Sequence, residues 1–291
     1  MASGRPPADR HREGATQKLQ KVLAQAGLGS RRDMEQWIRD GRVLVNGARA
    51  QIGARVGPRD IIQVDGRPVQ GADSGSAPRV LLYHKPEGEI VSREDPAGRP
   101  SVFDRLPAVR GAKWLAVGRL DYNTCGLLVL TTAGEVANRM MHPRYGLERE
   151  YAVRVRGRLT AAQLARLRSG VELEDGAARC DSVEDAGGEG TNHWYRIVIR
   201  EGRNRVVRRL FEALGLSVSR LMRVRFGPVM LPPRLRRGQY VELPPREVRD
   251  LLASLGLSAN PNPDPVARAS GGAAGRGRGR TRNHPRPFRA S

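Results

Sequence analysis

The sequence predicts an α+β protein with two folded units: a small helix-helix-hairpin module, then a larger domain built on a mixed or antiparallel sheet. Two helical stripes followed by a hairpin pattern indicate the module. Apolar and alternating segments typical of strands, interspersed with helices but without a regular βαβ rhythm, indicate the larger domain. At 291 residues the chain exceeds one average domain, which favours two units with tails.

The module is predicted over residues 17–70, after a polar segment, residues 1–16, that we expect to be disordered. Apolar residues at helical spacing form one stripe that comprises Leu19, Val22, Leu23 and Ala26. Ser30–Asp33 has the spacing of a capping box, which predicts the start of a second helix. Strands are predicted at Val43–Val45 and Ile61–Val64, with a hairpin turn after the first of them.

The larger domain is predicted over residues 79–257, after a Gly- and Ser-containing linker at residues 71–78. Continuous apolar runs at Val80–Tyr83 and Gly126–Leu130 predict buried strands. Alternating patterns that begin at Tyr151 and Tyr195 predict half-buried strands, and a helical stripe runs from Val207 to Leu214. Residues 258–291 form a basic low-complexity tail that cannot bury a core.

The charge balance predicts a polyanionic partner. Fifty-one Lys and Arg residues stand against 30 Asp and Glu residues, a formal net charge of +21. The tail after Leu257 holds seven arginines and one aspartate, so most of the excess lies in the predicted domains. Nucleic acid is the usual partner at this charge density. On charge alone, a ribosomal protein, an RNA enzyme and a DNA-binding protein all remain open.

Several other classes of protein are disfavoured by the residue pattern. The two cysteines, Cys125 and Cys180, are too few for a disulfide framework or a four-cysteine zinc site, and the five histidines have no ligand spacing, so no metal is expected. No phosphate-binding GxxxxGK[ST] loop occurs. Neither a signal peptide nor a run of about 20 apolar residues is present, so we expect a cytoplasmic protein without membrane contact. We also expect a monomer, because no apolar stripe is left over for an interface.

A loop that precedes the second buried strand is the first candidate for chemistry. Arg119 and Asp121 lie two residues apart, between Gly118 and an Asn-Thr pair. A carboxylate held by a loop ahead of a rigid strand is well placed to react with a ligand. The alternative is a surface loop in which both side chains are solvated, and spacing alone favours that alternative.

A cluster of arginines is the second candidate. Five arginines occur between Arg200 and Arg209, with one glutamate among them. A solvated basic helix face is a common explanation for such a run. We favour nucleic-acid contact, with Arg203 and Arg205 as candidate contacts, because so many like charges repel one another unless a polyanion neutralises them.

These segments resemble the motifs of pseudouridine synthases. The resemblance rests on four segments in the family's order: Lys85–Gly88, Gly118–Asp121 with the following Asn-Thr, Arg149–Tyr151, and Glu201–Phe211. The N-terminal module is similar to an S4 RNA-binding domain. That pairing is typical of the branch that modifies ribosomal RNA, and several further segments are most similar to members that act on the large subunit. The match extends from about residue 17 to residue 257.

The resemblance implies a chemistry and a set of roles. Uridine becomes pseudouridine without added atoms or redox change, so no cofactor is expected. Asp121 would be the catalytic carboxylate, acting as nucleophile or base. Arg208 would pair with Asp121 and keep it ionised, and Tyr151 would stack on the uracil. The target base must be flipped out of the RNA, with Arg119 filling the vacated stack and Leu221 lining the uracil pocket.

The S4 resemblance implies that the module grips the RNA backbone, with Lys18, Arg31, Arg32 and Arg42 as candidate contacts. The leading hypothesis is therefore a synthase that acts on large-subunit ribosomal RNA. A synthase for small-subunit RNA and a non-catalytic RNA-binding or ribosome-assembly factor are the alternatives. A DNA-binding regulator is disfavoured, because no recognition helix with a dimerisation element is found. Cys125 has no neighbouring histidine and is interpreted as a packed residue rather than a nucleophile.

Overall fold

The computed structural model describes residues 16–69, 77–109 and 112–257. Nearly all of the two predicted tails, and most of the predicted linker, lie outside the described residues. Within the described part of the chain, no helix is long and apolar enough to cross a membrane.

The N-terminal module contains two helices and two small sheets. The helices are α1 (Leu19–Gln25) and α2 (Arg31–Arg39). The strands are β1 (Gln17–Lys18), β2 (Val43–Val45), β3 (Ala48–Arg49), β4 (Arg55–Val56), β5 (Ile62–Val64) and β6 (Arg67–Pro68). β1 pairs with β4, and the other four strands form an antiparallel sheet in the order β3-β2-β5-β6. The predicted capping box is confirmed, because the Ser30 and Asp33 side chains each bond the other's backbone N–H.

The large domain contains nine strands and four α-helices within the described residues. The strands are β7 (Val80–Lys85), β8 (Leu115–Ala116), β9 (Cys125–Thr131), β10 (Arg149–Arg156), β11 (Ser182–Glu189), β12 (Asn192–Ile199), β13 (Val218–Phe226), β14 (Val229–Met230) and β15 (Tyr240–Glu242). The helices are α3 (Gly134–Met141), α4 (Ala161–Ser169), α5 (Val206–Glu212) and α6 (Pro245–Ser254). Short 3₁₀ turns lie at Val102–Arg105 and Pro143–Tyr145.

These strands form one mixed sheet, as the sequence predicted. The main order is β11-β12-β10-β13-β9-β7-β15, with β14 beside β13 and β8 beside β9. β9 and β13 run parallel, and the other recorded strand pairs are antiparallel. The parallel pair lies at the centre of the sheet, next to β10.

Apolar clusters cover both faces of this sheet. Along β9, Leu128 and Leu130 pack into one cluster, while Leu127 and Val129 pack into the opposite one. All seven β9 residues are buried, which explains why Gly126–Leu130 is apolar at successive rather than at alternate positions. β10 has one buried face only, and its sequence alternates accordingly. A third cluster forms the separate core of the N-terminal module.

Candidate active site

A cavity of about 830 Å³ in the large domain brings together most of the predicted site residues. Side chains from the loop before β9, from β10, from the segment before α5 and from β13 line it. The predicted residues among them are Arg119, Asp121, Tyr151, Arg203, Arg205 and Leu221. The structure thus places the Asp121 carboxylate, an aromatic ring and several cations around one space large enough for a nucleotide base.

Two buried cations hold the backbone of the Asp121 loop. The Lys85 ammonium, completely buried at the end of β7, donates to the carbonyl oxygens of Asp121 at 3.1 Å and Thr124 at 2.9 Å. The Arg208 guanidinium donates to the carbonyl of Asn123 at 2.8 Å. The Gly88 N–H bonds the remaining carbonyl of this loop, that of Tyr122, at 2.9 Å. The carbonyls of four successive residues are therefore fixed, which orients the carboxylate without touching it.

Arg208 differs from its predicted role. No ion pair joins it to the Asp121 carboxylate in the described part of the chain. Its guanidinium instead donates to the carbonyls of Asn123 and Val218, while its charge acts on Asp121 from farther away. Burial lowers the pKa of Arg208, and nearby Arg205 lowers it further. In this structure Arg208 positions the loop rather than contacting the carboxylate.

Tyr151 and Leu221 lie on neighbouring strands and face the same cavity. Leu221 on β13 is the cross-strand partner of Val153, two residues after Tyr151 on β10. Both side chains are buried, at 8% and 3% exposure. The two-residue period of strands therefore directs both side chains to the cavity face.

Sequence reasoning gave no role in the site to Lys85, Arg149 or Arg223, although the first two lie in the motifs that resemble the family's. Lys85 was noted only as part of a motif, yet burial lowers its pKa to about 8. Arg149 and Arg223 both line the cavity and are 8% and 2% exposed. The sequence contained one signal for Arg223. It follows Leu221 by two residues, so on a strand the two side chains lie on the same, inward face.

The expectation that only a polyanion could neutralise the arginine cluster is wrong, because acidic residues of the protein itself pair with several of these arginines. Arg203 bonds Glu201 and Asp175, Arg209 bonds Asp175 through two nitrogens, and Arg200 pairs with acids from two other segments. Arg203 also donates to backbone carbonyls of residues 175–177, so its guanidinium is engaged within the protein. Arg205 is exposed, and its one ion pair with a described residue is a 3.7 Å contact to Glu212. It is the cavity-lining arginine of this cluster that is best placed to meet a ligand.

The candidates in the N-terminal module do not line the cavity. Lys18, Arg31 and Arg32 are exposed on the module. Arg42 forms a bidentate ion pair with Asp65 and packs over the Trp37 ring at 4.1 Å from the centroid. This pairing reduces its freedom to bind phosphate, a constraint that the sequence did not reveal.

Cys125 is buried as predicted, and its thiol lies 3.5 Å from the Leu221 carbonyl. Burial raises the pKa of this thiol, which disfavours the nucleophilic thiolate. Within the described residues, no three His, Cys, Asp or Glu side chains converge to hold a metal ion.

Comparison with known proteins agrees with this arrangement of a small N-terminal module and a cavity at which, among the described residues, Asp121 is the carboxylate without an ion-pair partner. The S4 domain family matches residues 17–62, and the RNA pseudouridylate synthase family matches residues 79–213. A crystal structure of a pseudouridylate synthase aligns with a TM-score of 0.57 at 25% identity, covering 80% of this chain and 99% of that one.

Curated relatives extend the match. The chain is 56% identical over 231 residues to "Ribosomal large subunit pseudouridine synthase B" of Escherichia coli K12, covering 78% of this chain and 79% of that protein. Proteins of the same name from Pseudomonas aeruginosa and Xanthomonas campestris are 56% and 54% identical, and each alignment covers 83% of this chain. The chain spans only 63% and 50% of the length of those two relatives. The chain belongs to the RNA pseudouridine synthase family.

Proposed function

We propose that this protein isomerises uridine to pseudouridine in large-subunit ribosomal RNA, with Asp121 as the catalytic carboxylate. The observation that carries the proposal is the Asp121 carboxylate itself. It lines a cavity beside Tyr151 and Leu221, and it has no ion-pair partner in the described residues. Glu201, the other acid at the cavity, is paired with Arg203. The relatives named above support the choice of RNA.

The reaction needs a carboxylate and a restrained base. The N1–C1′ bond breaks, the uracil turns, and C5 bonds to C1′; C5 then loses its proton and N1 gains one. Asp121 either attacks the sugar or removes a proton from it. Tyr151 stacks on the uracil so that the ring stays in place while it turns. No group is added, so the step requires no cofactor.

The target uridine must be flipped out of the base stack of the RNA before it can reach Asp121. Unstacking costs a few kcal/mol, which contacts between protein and RNA must offset. Arg119 is exposed at the cavity and is our candidate to occupy the vacated stack, with Arg205 as a phosphate contact. Lys18, Arg31 and Arg32 would hold the RNA backbone at the S4 module, with Arg42 and Arg203 as weaker contacts because both are already paired.

The finer proposal names the target. From the resemblance of its motifs to those of large-subunit synthases, we infer that the modified position is the uridine numbered 2605 in 23S ribosomal RNA. The substrate also sets the compartment that we propose, the cytoplasm, because ribosomes are assembled there. Mapping of pseudouridine along the RNA tests the position directly.

The test is tritium release from C5-labelled large-subunit RNA, with wild type and Asp121→Asn measured in parallel. We expect release by the wild type alone, while the affinity of Asp121→Asn for RNA stays within about threefold because asparagine keeps the shape of the side chain. Loss of RNA binding as large as the loss of rate would contradict the catalytic assignment.

Small-subunit RNA is the matched control substrate. Release from that RNA alone would move the proposal to the other subunit. No release from either RNA, with binding intact, would favour a non-catalytic RNA-binding or assembly factor.

A further inference from the structure

Two buried arginines beside Tyr151 have no acidic partner in the described part of the chain. Arg223 is 2% exposed, and its Nε donates to the Leu127 carbonyl at 2.9 Å. Its Nη2 is buried without a hydrogen-bond partner. Arg149 is 8% exposed, and its Nη1 donates hydrogen bonds to the carbonyls of Leu147 and Arg200. A buried, unpaired charge is costly, so its presence calls for a reason.

The two guanidinium groups both pack against the Phe226 ring. Arg149 lies 4.7 Å and Arg223 lies 4.8 Å from the centroid of the Phe226 ring. All three residues line the cavity that contains Asp121. Burial lowers the pKa of both guanidinium groups, and repulsion from Arg223 lowers the pKa of Arg149 further. The Tyr151 hydroxyl acts in the opposite direction on both groups and bonds Arg223, but it carries no negative charge while it is protonated.

Arg225 provides an internal comparison. It lies on the same strand as Arg223, two residues further along, and it bonds the carboxylates of Glu148 and Glu150. Among the described residues, acids are thus supplied to a neighbouring arginine but not to Arg149 and Arg223. The described residues therefore leave these two positive charges available to an anionic ligand.

The backbone fixes Arg223 between the two catalytic elements. Arg223 is the cross-strand partner of Tyr151 on β10 and of Gly126 on β9, the strand that follows the Asp121 loop. A Cβ atom at Gly126 would lie 2.2 Å from the Arg223 carbonyl oxygen, so the strands approach this closely only because residue 126 is glycine.

We propose that Arg223, assisted by Arg149, stabilises the negative charge that uracil carries once its N1–C1′ bond has broken. This inference rests on the proposed isomerisation. The bonding electron pair leaves with the uracil, and its negative charge is shared by N1, O2 and O4. The Asp121 carboxylate stabilises the electron-deficient sugar that remains. Donors that are already in place when charge develops stabilise a transition state without reorganisation. The charge disappears when C5 bonds to C1′ and N1 gains a proton.

The experiment compares two substrates under single-turnover conditions. The RNA fragment carries either uridine or 5-fluorouridine at the target, and the change of the base–sugar linkage is measured by nucleoside analysis. Fluorine withdraws electrons and stabilises the uracil anion by itself, so the reaction depends less on the protein's cations.

We expect Arg223→Met to slow the reaction of uridine by about a hundredfold. The same substitution should slow the reaction of 5-fluorouridine by no more than about tenfold. Arg223→Lys, which keeps the charge, restores part of the rate on uridine. The control Arg225→Met slows both substrates by the same factor. The ratio of the two rates does not depend on the fraction of protein that folds.

Equal losses on both substrates for Arg223→Met would mean a structural role and would overturn the proposal. If that variant yields no folded protein, Arg149→Met is measured in the same way and must show the same inequality. A wild type that converts neither substrate would refute the proposed function itself, whatever the variants do.

Discussion

Replacing Lys85 with methionine tests whether a buried cation holds the Asp121 loop. The Lys85 ammonium donates to the carbonyls of Pro86, Asp121 and Thr124 at 2.9–3.1 Å, and the Tyr122 carbonyl lies 3.4 Å from it. Methionine keeps the length and the apolar packing of the side chain but donates no hydrogen bond. We expect kcat to fall by about a hundredfold, because a displacement of about 1 Å at the reacting group has an effect of this size.

The energetic cost of burying the Lys85 ammonium can be measured from the pH dependence of the free energy of unfolding. Burial lowers the pKa of Lys85 from 10.5 to about 8, whereas the unfolded chain retains the ordinary value. Between these two values the unfolded state binds more protons than the folded state, so the free energy of unfolding rises with pH. Relative to Lys85→Met, the wild type should gain about 2 kcal/mol between about pH 7 and about pH 9.5.

The assay is urea unfolding of the full-length wild type and of Lys85→Met at both pH values, since all other titrating groups are common to the two proteins. Below about pH 7, where Lys85 is protonated in both the folded and the unfolded state, the difference in free energy between the two proteins should be constant. A difference that stays unchanged up to about pH 9.5, or that moves in favour of the variant, would refute the inference that Lys85 is buried as a cation.

Two further substitutions probe the frame of the site. Gly126→Ala should destabilise the protein by at least about 2 kcal/mol more than Gly118→Ala in urea unfolding. The added Cβ meets backbone at 2.2 Å in the first case and nothing within 4 Å in the second, while both glycines have positive φ. Similar costs would show that the strands separate easily. Arg208→Lys should lower kcat about tenfold without changing the Kd for RNA, because lysine cannot bond the carbonyls of Asn123 and Val218 together. A rise in Kd with unchanged kcat would instead make Arg208 an RNA contact.

Local sequence information was sufficient for most elements of the fold. The capping box at Ser30, the alternating pattern of β10 and the continuous apolar run of β9 each predicted their element, because helix caps and side-chain periodicity depend on near neighbours. The order of the strands was not predictable. The parallel pairing of β9 with β13 joins segments almost a hundred residues apart.

The sequence by itself also determined which loop carries the carboxylate and which strand carries the tyrosine, because those motifs are contiguous. Only the tertiary structure decided which arginines are neutralised within the protein. Arg203 and Arg209 meet Asp175 from a distant segment, whereas Arg223 is buried with no acid beside it in the described residues. Coulomb interaction and desolvation depend on distance in space and on burial, and neither quantity is fixed by position along the chain.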